Sequence, residues 1–355
     1  MKKLYPLLTA AILIFITSAA KAQDGFSALI KSGPADATKL VNAYGEPLFK
    51  GIGLGLNSGW YSSARAKKLL HFDLRITASA AFVPTSDQTF DVTKIGLSNN
   101  VRPDNASQTM APTFGGSKSA NGPLLDIYDD NGRKVGSYTM PSGKSSVIPA
   151  PQLQLTVGLV GNTDLTIRAI PNINLGSSGN ISSIGFGIRH DIMQDFVGKT
   201  ADKLIPFDLA IALAYSHLSM NIPLTVNPDN GAIPKDGQQS TDFSNQHVGA
   251  TFNNFMIQAI ISKKLLFFTP FLAVGYNNTH TQFGTIGNFP VTTGQTLAGT
   301  STYTTYNNPI NINETSIDGF RADLGFQLTP GFFRIYVSGS LAQYKSVNAG
   351  IGFGF

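Results

Sequence analysis

Residues 316–328 read SIDGFRADLGFQL, and the chemistry changes at every second position. Phe320, Ala322, Leu324, Phe326 and Leu328 fall on one side of an extended chain, with Gly319, Arg321, Asp323, Gly325 and Gln327 on the other. A β-strand turns successive side chains to opposite faces, so this segment separates an apolar solvent from a polar one. A wall strand of a membrane barrel, between lipid and a wet lumen, meets that condition. Residues 70–83 repeat the pattern, with Phe72, Leu74, Ile76, Ala78, Ala80 and Phe82 against Asp73, Arg75, Thr77, Ser79 and Ala81. Residues 152–160 set Leu153, Leu155, Val157 and Leu159 against Gln152, Gln154 and Thr156. The same period is legible at 164–174, 181–190, 207–219, 246–262, 265–280 and 331–342. It runs to the terminus, where Val347, Ala349, Ile351, Phe353 and Phe355 alternate with Asn348, Gly350, Gly352 and Gly354.

Composition supports the same class. Only 13% of the 355 residues are charged and 42% are hydrophobic, against roughly a quarter charged in an ordinary soluble domain. This argues against a disordered chain and a strongly basic nucleic-acid binder. Cysteine is absent, which removes disulfides, thiolate nucleophiles, Cys-ligated zinc and Cys-anchored lipid. Glu occurs only at Glu46 and Glu314, which disfavours paired-Glu chemistry. Residues 1–22 read as a secretory signal: Lys2 and Lys3, an apolar run from Leu7 to Ala20, then Ala20-Lys21-Ala22 before a cut after Ala22. The run is short for a membrane-spanning helix. Its removal takes three lysines and no acid, so the formal charge falls from +5 to +2.

These readings predict an all-β fold, a transmembrane antiparallel β-barrel of about 12 strands (10–14) over 69–355, following a signal at 1–22 and a helix/loop segment at 23–68. Residues 84–150 are less regular: Phe90–Leu97 reads as a returning strand, and Ile127 to Val135 as a hairpin around an Asn-Gly turn that stands above the membrane. Tight turns fall at Thr329-Pro330-Gly331, Lys263-Lys264 and Gly161-Asn162-Thr163; long polar loops fall at 220–244 and 281–315. That asymmetry matches short periplasmic turns and long external loops. Residues 191–206 are an exception, with Met193, Phe196 and Val197 expected to make one helical turn against the rim. Phe72-Asp73-Leu74, Phe207-Asp208-Leu209 and Thr163-Asp164-Leu165 open three strands alike and read as depth markers, with Phe72, Phe207, Phe333 and Phe355 in an aromatic girdle.

Within 23–68, the spacing of Ala37, Leu40, Val41, Tyr44 and Leu48 predicts a helix over Ala35–Phe49 behind Pro34. The run Gly51-Ile52-Gly53-Leu54-Gly55-Leu56 then leads into 57–64, which holds the only Trp. Trp60 and Tyr61 are candidates for a plug inside the pore; the alternative is a periplasmic appendage.

Three resemblances follow from named residues. The C-terminal alternation ending in Phe353 and Phe355 resembles the strand signal read by the barrel-assembly machinery of Gram-negative outer membranes. Asn57 to Ala64, Pro151-Gln152-Leu153-Gln154-Leu155 through Thr163-Asp164-Leu165 to Arg168, and Gly187-Ile188-Arg189-His190-Asp191-Ile192 before Leu204-Ile205-Pro206-Phe207 resemble an uncharacterised family of outer-membrane barrels. That resemblance implies outer-membrane lipid as surroundings and transfers no functional residue. More distantly, the layout is similar to the long-chain fatty acid transporter barrels, which implies a plug and a hydrophobic-solute route; the Asn-Pro-Ala motif usual in their plugs is absent.

Arg75, Arg168, Arg189, Arg321, Asp323 and Arg334 fall on polar strand faces and are the candidate lumen-lining residues, either tuning selectivity or pinning a plug. Pro171 and Pro270 sit in or near wall strands, where a missing N–H marks a strand end, a bulge or a lateral gap. His217-Leu218-Ser219 places a base and a hydroxyl on one face and resembles part of an outer-membrane phospholipase site, but Met220-Asn221 follows in place of its Asn-Gly. Asp129-Asp130-Asn131-Gly132 lacks the first ligand of a calcium loop and reads as a turn. The five histidines have no metal-ligand spacing. The expectation is therefore a non-enzymatic barrel without metal, cofactor or nucleic acid. It passes a small or hydrophobic solute; the alternatives are a surface protein whose loops bind a partner and, remotely, a lipid hydrolase.

Overall fold

The computed structural model describes residues 20–196 and 206–355. Ten strands close an antiparallel barrel: β1 (Phe72–Phe82), β2 (Val147–Gly158), β3 (Thr163–Asn174), β4 (Asn180–Asp191), β5 (Asp208–Pro223), β6 (His247–Ser262), β7 (Phe268–Ile286), β8 (Asn311–Leu328), β9 (Phe333–Leu341) and β10 (Lys345–Gly354). Each pairs with the next in sequence, and β10 closes on β1 from Asp73↔Gly354 to Phe82↔Lys345. Ten replaces the expected twelve. Phe90–Leu97 holds only a short strand, Thr89–Asp91, and a 3₁₀ turn, and the hairpin Leu124–Tyr128/Lys134–Thr139 belongs to a small sheet with Val101–Pro103. Strands of three to six residues cannot cross a hydrocarbon layer that needs about 9–11. Asp129 Oδ1 accepts from the backbone N–H of Asn131 (2.9 Å) and Arg133 (2.8 Å), so the acidic run is a turn.

The alternation is realised strand by strand. Asp73, Arg75, Thr77 and Ser79 are buried inward on β1, while Ile184, Phe186 and Ile188 on β4 and Ile211, Leu213 and Tyr215 on β5 are exposed outward. Phe186, Tyr215 and Phe255 stand in one cross-strand row, and Tyr276 meets Phe320 edge-on at 6.0 Å in the adjoining row. At the other edge, Phe72 packs on Phe353 (6.4 Å) and Phe355 (5.6 Å), and Phe268 on Phe326 (5.6 Å). From Phe268 to Tyr276 the strand advances about 27 Å along its axis, which at a barrel tilt of about 40° is a rise of about 21 Å, near the ~25 Å apolar band of barrels in membranes. No helix among the described residues is long and apolar enough to cross a membrane.

The three longest connections fall at one end of the barrel, as expected, although 175–179 and 342–344 at that end are tight. Residues 83–146, 224–246 and 287–310 cap the long-loop end, the last two sharing a sheet of Ile233–Pro234, Ser301–Asn307 and Asn288–Gln295. In the 191–206 connection a helical turn begins at Met193, but Phe196 is 80% exposed rather than packed on the rim. Val197 lies outside the described residues, as do residues 1–19 of the expected signal.

Two helices precede the barrel, α1 (Ala20–Ile30) and α2 (Pro34–Asn57). Helix α2 packs against the inner faces of β1, β2, β5, β6, β7 and β8. Its start follows the expected chemistry: Gly33 at φ 81°, Pro34 in the first turn and Asp36 near the positive helix end. Its end does not. The helix passes the expected stop at Phe49 and runs through the glycines to Asn57. A Cβ on Gly51 would lie 2.5 Å from Ile148, on Gly53 2.6 Å from Thr279, and on Gly55 2.5 Å from Ala150. Glycine costs about 1 kcal/mol per residue in a helix interior; close approach to the wall, and burial of Leu54 and Leu56, offsets it. Helix α1 is tied to the loops by Lys31 Nζ to Asp229 Oδ1 at 2.8 Å. Burial pushes the Asp229 carboxyl up, but donors from Lys31 and Thr292 outweigh it and hold it below the usual carboxylate range.

Candidate functional site

The last turn of α2 ends inside the barrel; Gly55 O accepts the Ser58 backbone N–H (3.1 Å), and the last carbonyls of a helix otherwise lack intrahelical donors. Side chains supply the donors. Ser58 Oγ donates to Leu54 O (2.7 Å), Gln152 Nε2 to Gly55 O (2.8 Å), Trp60 Nε1 to Leu56 O (3.1 Å) and Arg321 Nη1 to Asn57 O (2.9 Å). Arg168 reaches two carbonyls, Leu56 O and Ser58 O, each at 2.9 Å, while its Nε donates to Gln154 Oε1 at 2.7 Å. Cations at a helix C-terminus also complement the negative end of the helix dipole.

The segment after the helix is held in the same way. Trp60 O accepts from Arg75 Nη2 and from Gln154 Nε2 (3.0 Å), and Ser63 O accepts from Arg189 Nη1. The guanidinium of Arg168 lies 3.9 Å from the Trp60 ring centre, and that of Arg189 lies 5.1 Å from Tyr61, within cation–π range. Trp60 is 1% and Tyr61 5% exposed. Asp323 neutralises Arg321 at 2.6 Å, and Asp164 pairs with Arg189.

Four of the five candidate arginines, with Asp323, therefore converge on residues 56–63. Arg334 stands apart at the short-turn end, 3.3 Å from Asp73, which also meets Lys67 (3.1 Å) and Tyr336 (2.7 Å). Asp208 binds Arg65 (2.8 Å) and Asp164 accepts from the Lys67 backbone N–H (2.8 Å). The three Asp residues that open strands are thus anchors for the basic run 65–67 as well as markers of depth. Gln152, Gln154 and Asp164 were not among the sequence candidates. Their signal was present in the polar strand faces, but polar and uncharged residues also solvate an ordinary lumen.

The wall is zipped unevenly. β2 and β3 pair only from Gln154↔Arg168 to Gly158↔Asp164, so 147–153 and 169–174 separate toward the long-loop end. Pro149, Pro151 and Pro171, which lack an N–H to donate, flank the split. A cavity of about 10 Å³, the size of a single water, sits at its apex against Leu56, Gln152, Leu153, Arg168, Ala169 and Ile170. β8 and β9 pair only from Ala322↔Leu341 to Leu328↔Ile335, while β8 pairs with β7 up to Asn311. Two panels result, β9–β10–β1–β2 and β3 to β8, joined at the short-turn end with α2 between them. Pro171 lies at a register shift beside the first split. Pro270 pairs with Phe326 and opens nothing.

His217 Nδ1 is 2.8 Å from Asn253 Oδ1, which also accepts from Tyr215 (2.9 Å); Ser219 lies opposite Thr251. Among the described residues no three His, Asp or Glu side chains group to hold a metal.

A family model described as a family of unknown function, DUF6588, matches residues 1–355. The chain belongs to this family. None of the curated proteins matches it. Solved structures similar to this DUF6588 chain include the outer membrane protease OmpT from Escherichia coli, at 8% identity over 84% of this chain and 100% of that one, TM-score 0.32. The translocator domain of autotransporter NalP from Neisseria meningitidis matches at 11% identity over 91% of this chain and 99% of that one, TM-score 0.28. The P. putida toluene transporter TodX matches at 9% identity over 81% of this chain and 68% of that one, TM-score 0.27. At these scores the function of the DUF6588 chain has to be argued from its own geometry.

Proposed function

We propose that this chain is a non-catalytic outer-membrane barrel that passes a small hydrophobic solute, with residues 23–68 as its plug and the long-loop end outside. The observation that carries this reading is the split between β2 and β3. Residues 56–63 fill the axial route, and the lumen arginines hold the plug instead of lining an open pore. Beyond Arg168 the split leaves two unpaired strand edges, a sideways path between bilayer and lumen for an apolar molecule.

The absence of cysteine gives a clean test. Leu153 and Ala169 are the next positions beyond the last paired residues, Gln154 and Arg168. In proteoliposomes, the Leu153→Cys/Ala169→Cys variant should pass a small uncharged aromatic solute when reduced, stop when oxidised, and recover with reductant. Equal flux in both states would reject the split as the route. No flux from the wild type would favour the alternative, a surface protein whose loops bind a partner.

A further inference from the structure

The outer wall carries a trough unlike the rest of the apolar belt. Ile211, Ala259, Val274, Ala322 and Leu341 are direct cross-strand neighbours on β5, β6, β7, β8 and β9. The row above holds Leu213, Ile257, Tyr276 and Phe320, and the row below holds Leu209, Ile261, Leu272 and Leu324. The middle row, with Ala259 and Ala322 as its small residues, and Ile257, Tyr276 and Phe320 of the row above line an open cavity of about 670 Å³. That volume falls in the range of about 300–1,000 Å³ of small-molecule sites. At about 4.8 Å per strand, the five strands give the trough a length of about 19 Å. This exceeds half of a hydrocarbon core ~30 Å thick, about 15 Å, so the trough is long enough for one lipid tail.

One end is marked by charge. Leu341 pairs across the turn with Lys345, which extends the row, faces outward and makes no ion pair among the described residues. β9 and β10 span only nine and ten residues, the minimum for a crossing strand, so the top of this panel sets Lys345 at headgroup level. We infer that the trough binds one anionic, phosphate-bearing membrane lipid, with a tail across Ala259–Val274–Ala322 and its phosphate at Lys345. The occupant is a lipid of the surrounding leaflet: the trough opens onto the belt, and its cation stands where a phosphate layer lies. This inference does not depend on solute transport.

The test uses full-length protein, delipidated in detergent and titrated with phosphatidylglycerol or phosphatidylcholine, with bound lipid counted by native mass spectrometry. One lysine near a membrane surface contributes about 1 kcal/mol toward an anionic lipid, or roughly a fivefold preference. Wild type should prefer phosphatidylglycerol by that factor. Lys345→Gln should bring the two lipids level, and Ala322→Phe, which fills the trough, should remove the retained lipid. Leu165→Phe, elsewhere on the belt, should change neither. Heat-modified gel mobility confirms that each variant is folded. Equal binding of both lipids to wild type, or unchanged retention in Ala322→Phe, would overturn the assignment.

Discussion

Arg168 concentrates the physical problem of the lumen. A guanidinium that is 4% exposed has lost water, and it recovers hydrogen bonds from Gln154, Leu56 and Ser58 and the face of Trp60. Arg168→Met would leave Ser58 O and Gln154 Oε1 without that donor, while Leu56 O keeps the Trp60 N–H. Each orphaned group costs about 1–3 kcal/mol, enough to loosen residues 56–63 while the barrel ladders remain. Planar recording should show ion leak in Arg168→Met, and trypsin should cut after Lys50 faster than in wild type. An unaltered baseline with unaltered protection would mean that Arg168 does not hold the segment. The polar position of this arginine is readable from alternation; its carbonyl partners at Leu56 and Ser58, more than a hundred residues earlier in the chain, are not.

Helix α2 shows two effects of opposite sign at one element. Replacing Gly55 with Ala raises helix propensity by about 1 kcal/mol but sets a methyl group 2.5 Å from the Ala150 Cβ. Overpacking of this kind costs about 1–3 kcal/mol, and the wall cannot retreat without breaking its ladder to β1. Gly55→Ala should therefore lower the urea midpoint, whereas a rise would show that the helix has room. Local signals end this helix at the glycine run, because glycine is a poor helix former. Contact with β2 and β7 carries the helix through that run to Asn57.

At the scale of the molecule, closure links the two chain ends. Phe355 donates its backbone N–H to Phe72 O (3.2 Å) and packs its ring on Phe72, at the first pair of the β1–β10 ladder. Deleting Phe355 should reduce the fraction of heat-modifiable, membrane-inserted protein in cells, while refolding into detergent changes little. Equal losses in both settings would assign Phe355 to stability instead of assembly. The same scale sets the two panels: β2–β3 and β8–β9 stop pairing well below the long-loop end, and α2 touches both sides.

The amino-acid order alone determined the belt, the polar lumen and the division into short and long connections. Two solvents on either side of a pleated strand impose a period of two that needs no knowledge of neighbours. All ten wall strands are legible on that basis, and the overcount has its clearest source at Phe90–Leu97, where a short extended piece mimics a strand without the length to cross. Only the tertiary structure decided how far each ladder is zipped, where α2 ends, and that the lumen arginines bind carbonyls at 56–63. Those outcomes depend on contacts between residues far apart in the chain, which no local pattern encodes.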